Sequence, residues 1–234
     1  MKESISLIRN NRLFFAVLVL LLITGISLLL VNERVASFIS SNDHHSFGLN
    51  ILFINITFMG DGIFAICLAA VFYFYFEKRQ EGKALLFAFF ISGITIQLIK
   101  NLPSEQQPGL FFEAGRYLSA EGSVSLHTGL PSGHTAIAFA IATVLIIMQK
   151  NKKWQLPILA AAILVGYSRI YLAQHFLLDI LIGAFTGCSI GLFAVYLSKN
   201  TGRIKNTFKK MHRIENSSSL SSPSVIPQGK INLS

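Results

Sequence analysis

The segment LFFAVLVLLLITGISLLLV, residues 13–31, contains no charged side chain over its whole length. Runs of about 18 or more apolar residues are typical of helices that cross a lipid bilayer. A secretory signal sequence has a shorter apolar region, of about 7–15 residues, and ends at a small-residue cleavage site. This run leads instead into Asn32-Glu33-Arg34, so we interpret it as a retained membrane span.

The remainder of the chain also has the composition of a membrane protein. Of its 234 residues, 52% are hydrophobic and 13% are charged, whereas about 25% are charged in an ordinary soluble domain. Five further apolar runs are continuous rather than alternating, which predicts helices and not barrel strands. The predicted fold is therefore all-α, a membrane helical bundle with six transmembrane helices. The predicted spans are Leu13–Val31, Ile51–Phe76, Ala84–Ile99, Thr135–Met148, Leu156–Leu172 and Phe176–Leu197.

The distribution of Lys and Arg predicts the orientation of these spans. If the N-terminus is cytoplasmic, only four of the 20 cationic residues fall on the outer side. Cytoplasmic loops are enriched in Lys and Arg, so we expect both termini to be cytoplasmic. The same bias accounts for the net charge of +9, and no nucleic-acid partner is predicted. The four outer cations are Arg34, Lys100, Arg116 and Arg169.

The chain divides into two parts. Residues 1–198 are predicted to form the six-span domain, with one long outer loop at residues 101–130, a length that is usually functional. Residues 199–234 begin basic and become Ser-rich, with too few apolar residues to build a core. We expect this segment to be a disordered cytoplasmic tail near anionic headgroups. Cys67 and Cys188 lie inside apolar runs and predict neither a disulfide nor a metal site.

The ionisable residues near span ends are predicted to converge at the outer membrane face. His175 and Asp179 are four residues apart and would share one face of a helix. A carboxylate in that position holds one imidazole nitrogen protonated and leaves the other free to attack. This pair predicts a nucleophilic histidine.

Groups suited to an anion lie at the same predicted face. Lys100 and Arg169 match the charge of a transferring phosphoryl group. Ser132 and Gly133 stand where a helix begins, and a helix N-terminus offers free N–H groups to an anion. His134 could protonate a leaving oxygen. Together these residues predict phosphoryl transfer through histidine.

Two of these motifs resemble signatures of the type 2 phosphatidic acid phosphatase superfamily, namely Pro131-Ser132-Gly133-His134 and Ser168-Arg169-x5-His175-x3-Asp179. Lys100, with Pro108 eight residues later, resembles the first signature, Lys-x6-Arg-Pro. The resemblance implies a six-span membrane phosphatase that needs no metal or other cofactor. It implies that His175 is the nucleophile, that Asp179 orients it and that His134 is the general acid. The residues that it implies for phosphate binding are Lys100, Ser132, Gly133 and Arg169.

The sequence departs from the first signature at Gln107, which stands where the family has Arg. A neutral hydrogen bond contributes about 0.5–1.5 kcal/mol, against about 1.5–3 kcal/mol for one to a charged group. Phosphate affinity is the property that this change puts in doubt. Arg116, in the same loop, is a candidate for the missing cation.

The predicted function is hydrolysis of a phosphorylated membrane lipid, a monophosphate or diphosphate, at the outer or periplasmic face of a bacterial inner membrane. Undecaprenyl diphosphate, lipid A and phosphatidylglycerol phosphate are the candidate substrates. The alternative, motivated by Gln107, is a non-catalytic protein that binds or transports lipid phosphates. The signatures also resemble vanadium haloperoxidases, but those are soluble. Asp61 is interpreted as a helix-packing or hydrogen-bonding residue, and His127 as a possible lining residue of the site.

Overall fold

The computed structural model describes residues 9–30, 46–100, 130–149, 151–172 and 174–219, and every regular element in these ranges is helical. Short 3-10 turns lie at Phe58–Gly60 and Lys152–Trp154, and a π-helical turn lies at Val71–Tyr75. We number the α-helices in chain order. They are α1 Arg12–Leu30, α2 Phe47–Thr57, α3 Gly62–Ala70, α4 Arg79–Lys100, α5 Gly133–Met148, α6 Gln155–Tyr171 and α7 Leu177–Ser219.

All six predicted apolar segments coincide with helices, which confirms the all-α prediction. Among the described residues, α4 and the Leu177–Thr201 part of α7 are long and apolar enough to cross a membrane. The segments Phe47–Gly60 and Gly62–Tyr75 satisfy the same conditions together, as a pair bent by 59°. Part of α1 and all of α5 are shorter apolar helices. Six spans and cytoplasmic termini stay predictions.

A break at Asp61 divides the second predicted span into two helices. The backbone of Asp61 is extended (φ −80°, ψ 152°), and its carboxylate accepts a hydrogen bond from the N–H of Ile63 at 2.7 Å. Asp is among the preferred helix N-caps, so a new helix starts at Gly62. The interpretation of Asp61 as a hydrogen-bonding residue agrees with this geometry.

Glycines let α7 approach α5 closely. A Cβ atom added to Gly183 would lie 2.8 Å from the carbonyl oxygen of Ser132, and one on Gly191 would lie 2.7 Å from that of Ala140. Between them, a Cβ on Gly187 would overlap the carbonyl oxygen of Ala136. Small residues at intervals of four are typical of tightly packed membrane helices. This contact fixes the start of α7 beside the start of α5.

At the opposite end of the bundle, a polar cluster joins α1 to the α5–α6 connection. The side-chain oxygen of Asn11, which is 1% exposed, accepts hydrogen bonds from Lys152 Nζ and Gln155 Nε2, both at 2.8 Å. Lys152 Nζ also donates to the carbonyl oxygen of Ile146 at 3.2 Å, near the C-terminus of α5. Buried polar groups must be satisfied in this way to be tolerated.

The boundary between the two compact units of the chain lies between Ser198 and Lys199. Helix α7 continues to Ser219, beyond that boundary. Residues 199–219 are thus helical, where their composition predicts a tail without stable structure. Extending an existing helix requires no new nucleus, which favours this continuation. The assignment of 199–234 as a cytoplasmic tail stays a prediction, and residues 220–234 lie outside the described residues.

Candidate active site

The C-terminal end of α6 turns back on itself and positions Arg169 and His175. The carbonyl oxygen of Arg169 accepts hydrogen bonds from the backbone N–H groups of Gln174, at 3.0 Å, and of His175, at 3.3 Å. These bonds satisfy a carbonyl that the helix end would otherwise leave without a partner. They also bring the backbone of His175 beside the last turn of α6, in which Arg169 is only 6% exposed.

Asp179 holds the imidazole of His175. The two side chains meet at 3.3 Å between Asp179 Oδ2 and His175 Nδ1, and both are buried. The same carboxylate oxygen accepts a hydrogen bond from the N–H of Phe176 at 3.0 Å. A carboxylate can only accept, so Nδ1 is the protonated nitrogen and Nε2 keeps its lone pair. The predicted contact is observed, but the two residues do not share a helical face, because His175 precedes α7, which begins at Leu177.

Asp179 also connects the two signature motifs. Its carbonyl oxygen accepts a hydrogen bond from the N–H of Ser132 at 3.2 Å. Ser132 is the N-cap of α5, and its fully buried hydroxyl accepts from Thr135 Oγ1 at 2.9 Å and from the Thr135 N–H at 3.5 Å. The hydroxyl oxygen of Ser132 therefore caps α5, and its phosphate-binding role and that of Gly133 stay predictions.

Lys100 and His134 belong to the same cluster. The charge of Lys100 interacts with those of Arg169 and Asp179, and the imidazole of His134 is close enough to Arg169, Lys100 and His175 to interact with all three. The structure thus brings together five of the predicted residues from four helices and one loop. At this end of the bundle, the last turns of α4 and α6 meet the first turns of α5 and α7.

The protonation of His175 follows from its surroundings. Burial lowers the pKa of this histidine from its ordinary 6.5, the hydrogen bond to Asp179 opposes that effect, and the positive charge of Arg169 adds to the lowering. A histidine with a lowered pKa is neutral at physiological pH. The lone pair of Nε2 is therefore available for attack.

Thr57 contacts the cluster, although it belongs to none of the sequence motifs. Its hydroxyl oxygen accepts a hydrogen bond from Arg169 Nη1 at 3.0 Å, and its side chain is 3% exposed. Thr57 is one hydroxyl within an apolar segment, and only the packing of α2 on α6 reveals its partner.

Other predicted residues lie outside the described part of the chain. These are Gln107 and Arg116, the two weaker candidates for phosphate binding, and His127. Their roles stay predictions. Among the described residues, no group of three or more His, Cys, Asp or Glu side chains could hold a metal ion, and the prediction of a metal-free reaction stays untested.

The arrangement suits one type of chemistry. Lys100 and Arg169 lie near the His175–Asp179 pair, and the N-terminus of α5 begins beside Asp179, which favours a group with several negative oxygens. The neutral nitrogen is a nucleophile, and His134 is a second imidazole in the same cluster that could move a proton. This combination fits the transfer of a phosphoryl group.

Comparison with known proteins agrees with this assignment of chemistry. Residues 81–203, more than half of the chain, match the PAP2 superfamily. An undecaprenyl-diphosphatase of Sulfolobus acidocaldarius is 28% identical over 140 residues, which cover 60% of this chain and 66% of that protein. Phosphatidylglycerophosphatase B of Bacillus subtilis is 29% identical over 163 residues, covering 64% of this chain and 74% of that protein.

Two solved structures share the fold. LpxE of Aquifex aeolicus superposes with a TM-score of 0.61 at 26% identity, covering 70% of this chain and 94% of that chain. A transmembrane PAP2-type phosphatidylglycerolphosphate phosphatase of Bacillus subtilis superposes with a TM-score of 0.61 at 22% identity, covering 86% and 98%. The matched region contains both signature motifs and the residues that meet around His175, and by that match the chain is an integral membrane protein of the PAP2 superfamily.

Proposed function

We propose that this protein is a lipid phosphate phosphatase that forms a phosphohistidine at His175. The observation that supports this most strongly is the buried pair of His175 and Asp179, whose 3.3 Å contact leaves Nε2 as the free nitrogen. The proximity of the cations Arg169 and Lys100 to this pair adds a place for the phosphate oxygens.

The proposed reaction has two steps. In the first, Nε2 of His175 attacks phosphorus, the bond from phosphorus to the lipid oxygen breaks, and His134 gives its proton to the departing oxygen. In the second, water attacks the phosphohistidine while His134 takes a proton from that water. The P–N bond breaks, inorganic phosphate leaves, and His175 is again neutral. Asp179 keeps Nδ1 protonated throughout and stabilises the positive charge of the intermediate.

The role of His134 depends on the substrate itself. Burial is the main effect that disfavours a positive charge on its imidazole, and the charges of Arg169 and Lys100 add to it. A bound phosphate group carries negative charge that balances these cations. We infer that His134 becomes a proton donor only when the phosphate is in place. General acid catalysis by His134 is then confined to the enzyme with bound substrate.

The substrate is proposed to be an envelope lipid of the undecaprenyl diphosphate, lipid A or phosphatidylglycerol phosphate type. The names of the two relatives described above support the first and third of these. The active site is proposed to face the periplasm or the outside of a bacterial inner membrane, because the Lys and Arg distribution puts this end of the bundle on the outer side.

A direct test measures phosphate release by the purified protein from a panel of these lipids. We expect His175→Ala to abolish release from whichever lipid the wild type hydrolyses. Asn55→Ala, which alters an exposed polar residue of α2, should keep full activity. Full activity of His175→Ala would show that the proposed mechanism is wrong. Loss of activity in EDTA that only a divalent cation restores would contradict a metal-free reaction.

The second candidate function is a non-catalytic lipid-phosphate binder or transporter. Gln107, in place of the Arg of the first signature, is the observation that favours it. That protein would bind lipid phosphates and release no inorganic phosphate from any lipid of the panel.

A further inference from the structure

We propose that Thr57 is a positioning residue for the phosphate-binding guanidinium of Arg169, an inference that rests on the proposed function. Its hydroxyl oxygen accepts from Arg169 Nη1 at 3.0 Å, and the two side chains are 3% and 6% exposed. The two residues are 112 positions apart in the chain, so the contact is purely tertiary. In a water-poor site such a bond restricts the guanidinium to one orientation.

The segment that follows Thr57 is fixed against the site on a second side. A Cβ added to Gly60 would lie 2.6 Å from the carbonyl oxygen of His134 and 2.9 Å from Cγ1 of Val165. Residues 58–60 form a 3-10 turn, in which positions three apart project in the same direction. The turn thus contacts the start of α5 through Gly60. Thr57, the residue just before the turn, contacts the guanidinium of Arg169.

Two further contacts keep α2 in register along α6. The hydroxyl of Tyr171 donates to the side-chain oxygen of Asn50 at 3.0 Å. The ring of Phe53 lies against that of Tyr171, with centroids 4.3 Å apart. Since Tyr171 is two residues from Arg169, these contacts determine the position of Thr57 along the axis of α6 relative to the guanidinium.

The geometry assigns the first half of the broken span a role in substrate recognition. A bidentate guanidinium binds phosphate well only when an edge that carries two N–H donors is oriented toward the oxygens. A rotation that moves the donors by about 1 Å is enough to reduce catalysis about 100-fold. Thr57 prevents that rotation without itself touching the reacting atoms.

The test compares Thr57→Val, which has the same shape without the hydroxyl, with Thr57→Ser, which keeps the hydroxyl. We expect Thr57→Val to raise the inhibition constant of inorganic phosphate and the KM for lipid phosphate by about tenfold or more. Thr57→Ser should stay within about threefold of the wild type. The acid limb of the pH profile should not move in either variant, because the His175–Asp179 pair is unchanged.

The matched control is Thr143→Val. Thr143 is another fully buried threonine, but its hydroxyl donates to the carbonyl oxygen of Phe139 at 2.7 Å, in the interior of α5. This variant should have the wild-type inhibition constant for phosphate. In an Arg169→Ala background, Thr57→Val should cause less than a twofold further change, because the residue that it positions is gone.

Two results would overturn the inference. One is a wild-type inhibition constant in Thr57→Val, and the other is an equal defect in Thr57→Val and Thr57→Ser, which would indicate a packing effect. If Thr57→Val does not purify as a folded protein, Thr57→Ala provides the same comparison.

Binding of inorganic phosphate, measured by 31P NMR on the purified protein, separates this inference from the proposed function. That measurement needs no turnover. If the wild type hydrolyses no lipid but Thr57→Val weakens phosphate binding, the proposed function fails and the positioning role stands. If turnover is present and neither binding nor KM responds to Thr57→Val, the positioning role alone fails.

Discussion

Replacing Asp179 by Asn tests the proposed nucleophile with little disturbance of the fold. Asp179 Oδ2 accepts two hydrogen bonds, from His175 Nδ1 at 3.3 Å and from the Phe176 N–H at 3.0 Å. Both bonds go to the same oxygen, so an Asn can place either its amide oxygen or its NH2 group there. The amide oxygen keeps both bonds but removes the charge, whereas the NH2 group loses both bonds, faces Nδ1 and favours the tautomer with the proton on Nε2, which has no lone pair for attack.

The expected loss of activity follows from these two bonds. A hydrogen bond to a charged group contributes about 1.5–3 kcal/mol, which corresponds to a factor of about 10–150 in rate. The wrong tautomer adds to this, and in the Ser-His-Asp triad the equivalent change lowers kcat about 10⁴-fold. We expect Asp179→Asn to lower kcat by between about 10² and 10⁴, while KM changes little.

The chain provides a matched control for this substitution. Asp61 is also an aspartate that caps a helix, and it accepts the Ile63 N–H at 2.7 Å. Asn is about as good an N-cap as Asp, so Asp61→Asn should keep nearly wild-type activity. Phosphate release from the best lipid substrate, measured with purified protein in detergent, compares the variants. An Asp179→Asn enzyme within threefold of wild-type kcat would refute the role given to this carboxylate.

Three further predictions concern pH dependence and packing. Because burial lowers the pKa of His175 below its ordinary 6.5, the acid limb of kcat/KM should lie below pH 6.5; a limb near pH 7.5 would contradict a neutral buried nucleophile. Gly187→Ala forces α5 and α7 apart and should destabilise the protein by about 1–3 kcal/mol. Gly93→Ala, where a Cβ meets nothing within 4 Å, should not, and equal melting temperatures in detergent would disprove the close contact. Asn11→Leu removes an acceptor from the buried amide of Gln155 and from the ammonium of Lys152 and should cost about 1–3 kcal/mol, whereas Asn55→Leu, at an exposed position, should cost little; unchanged thermal stability of Asn11→Leu would show that the polar cluster is dispensable.

The sequence predicts the helices of this fold well because the lipid environment leaves few alternatives. Continuous apolar runs must form helices when no water is present to satisfy the backbone. The predicted segment Thr135–Met148 and the observed helix Gly133–Met148 differ by two residues at one end. The break at Asp61 was not predicted, because an apolar run does not show where an N-cap interrupts it. The approach of α7 to α5 through Gly187 is likewise a property of two helices together.

The candidate site likewise contains one contact that local sequence predicts and others that depend on tertiary packing. The sequence predicts the contact of His175 with Asp179 from their separation of four residues, although His175 lies just before α7 and not on it. The capping role of the Ser132 hydroxyl emerges only when its bond to Thr135 is seen. The contact of Thr57 with Arg169 joins residues far apart in the chain, and no local pattern reveals it. Sequence thus predicts the ionisable side chains of the cluster, whereas the contact of Thr57 and the cap of Ser132 require the packed structure.

The measurement closest to the central claim is the identification of the covalent intermediate. Protein mixed with 32P-labelled lipid phosphate is quenched within one turnover in alkali, which preserves phosphohistidine, and the labelled peptide is located by mass spectrometry. The account predicts label on His175 in the wild type and none in His175→Ala. In His134→Gln the label should increase if the substitution slows the second step more than the first. Label on another residue, or phosphate release from the wild type with no labelled protein at any time, would contradict it.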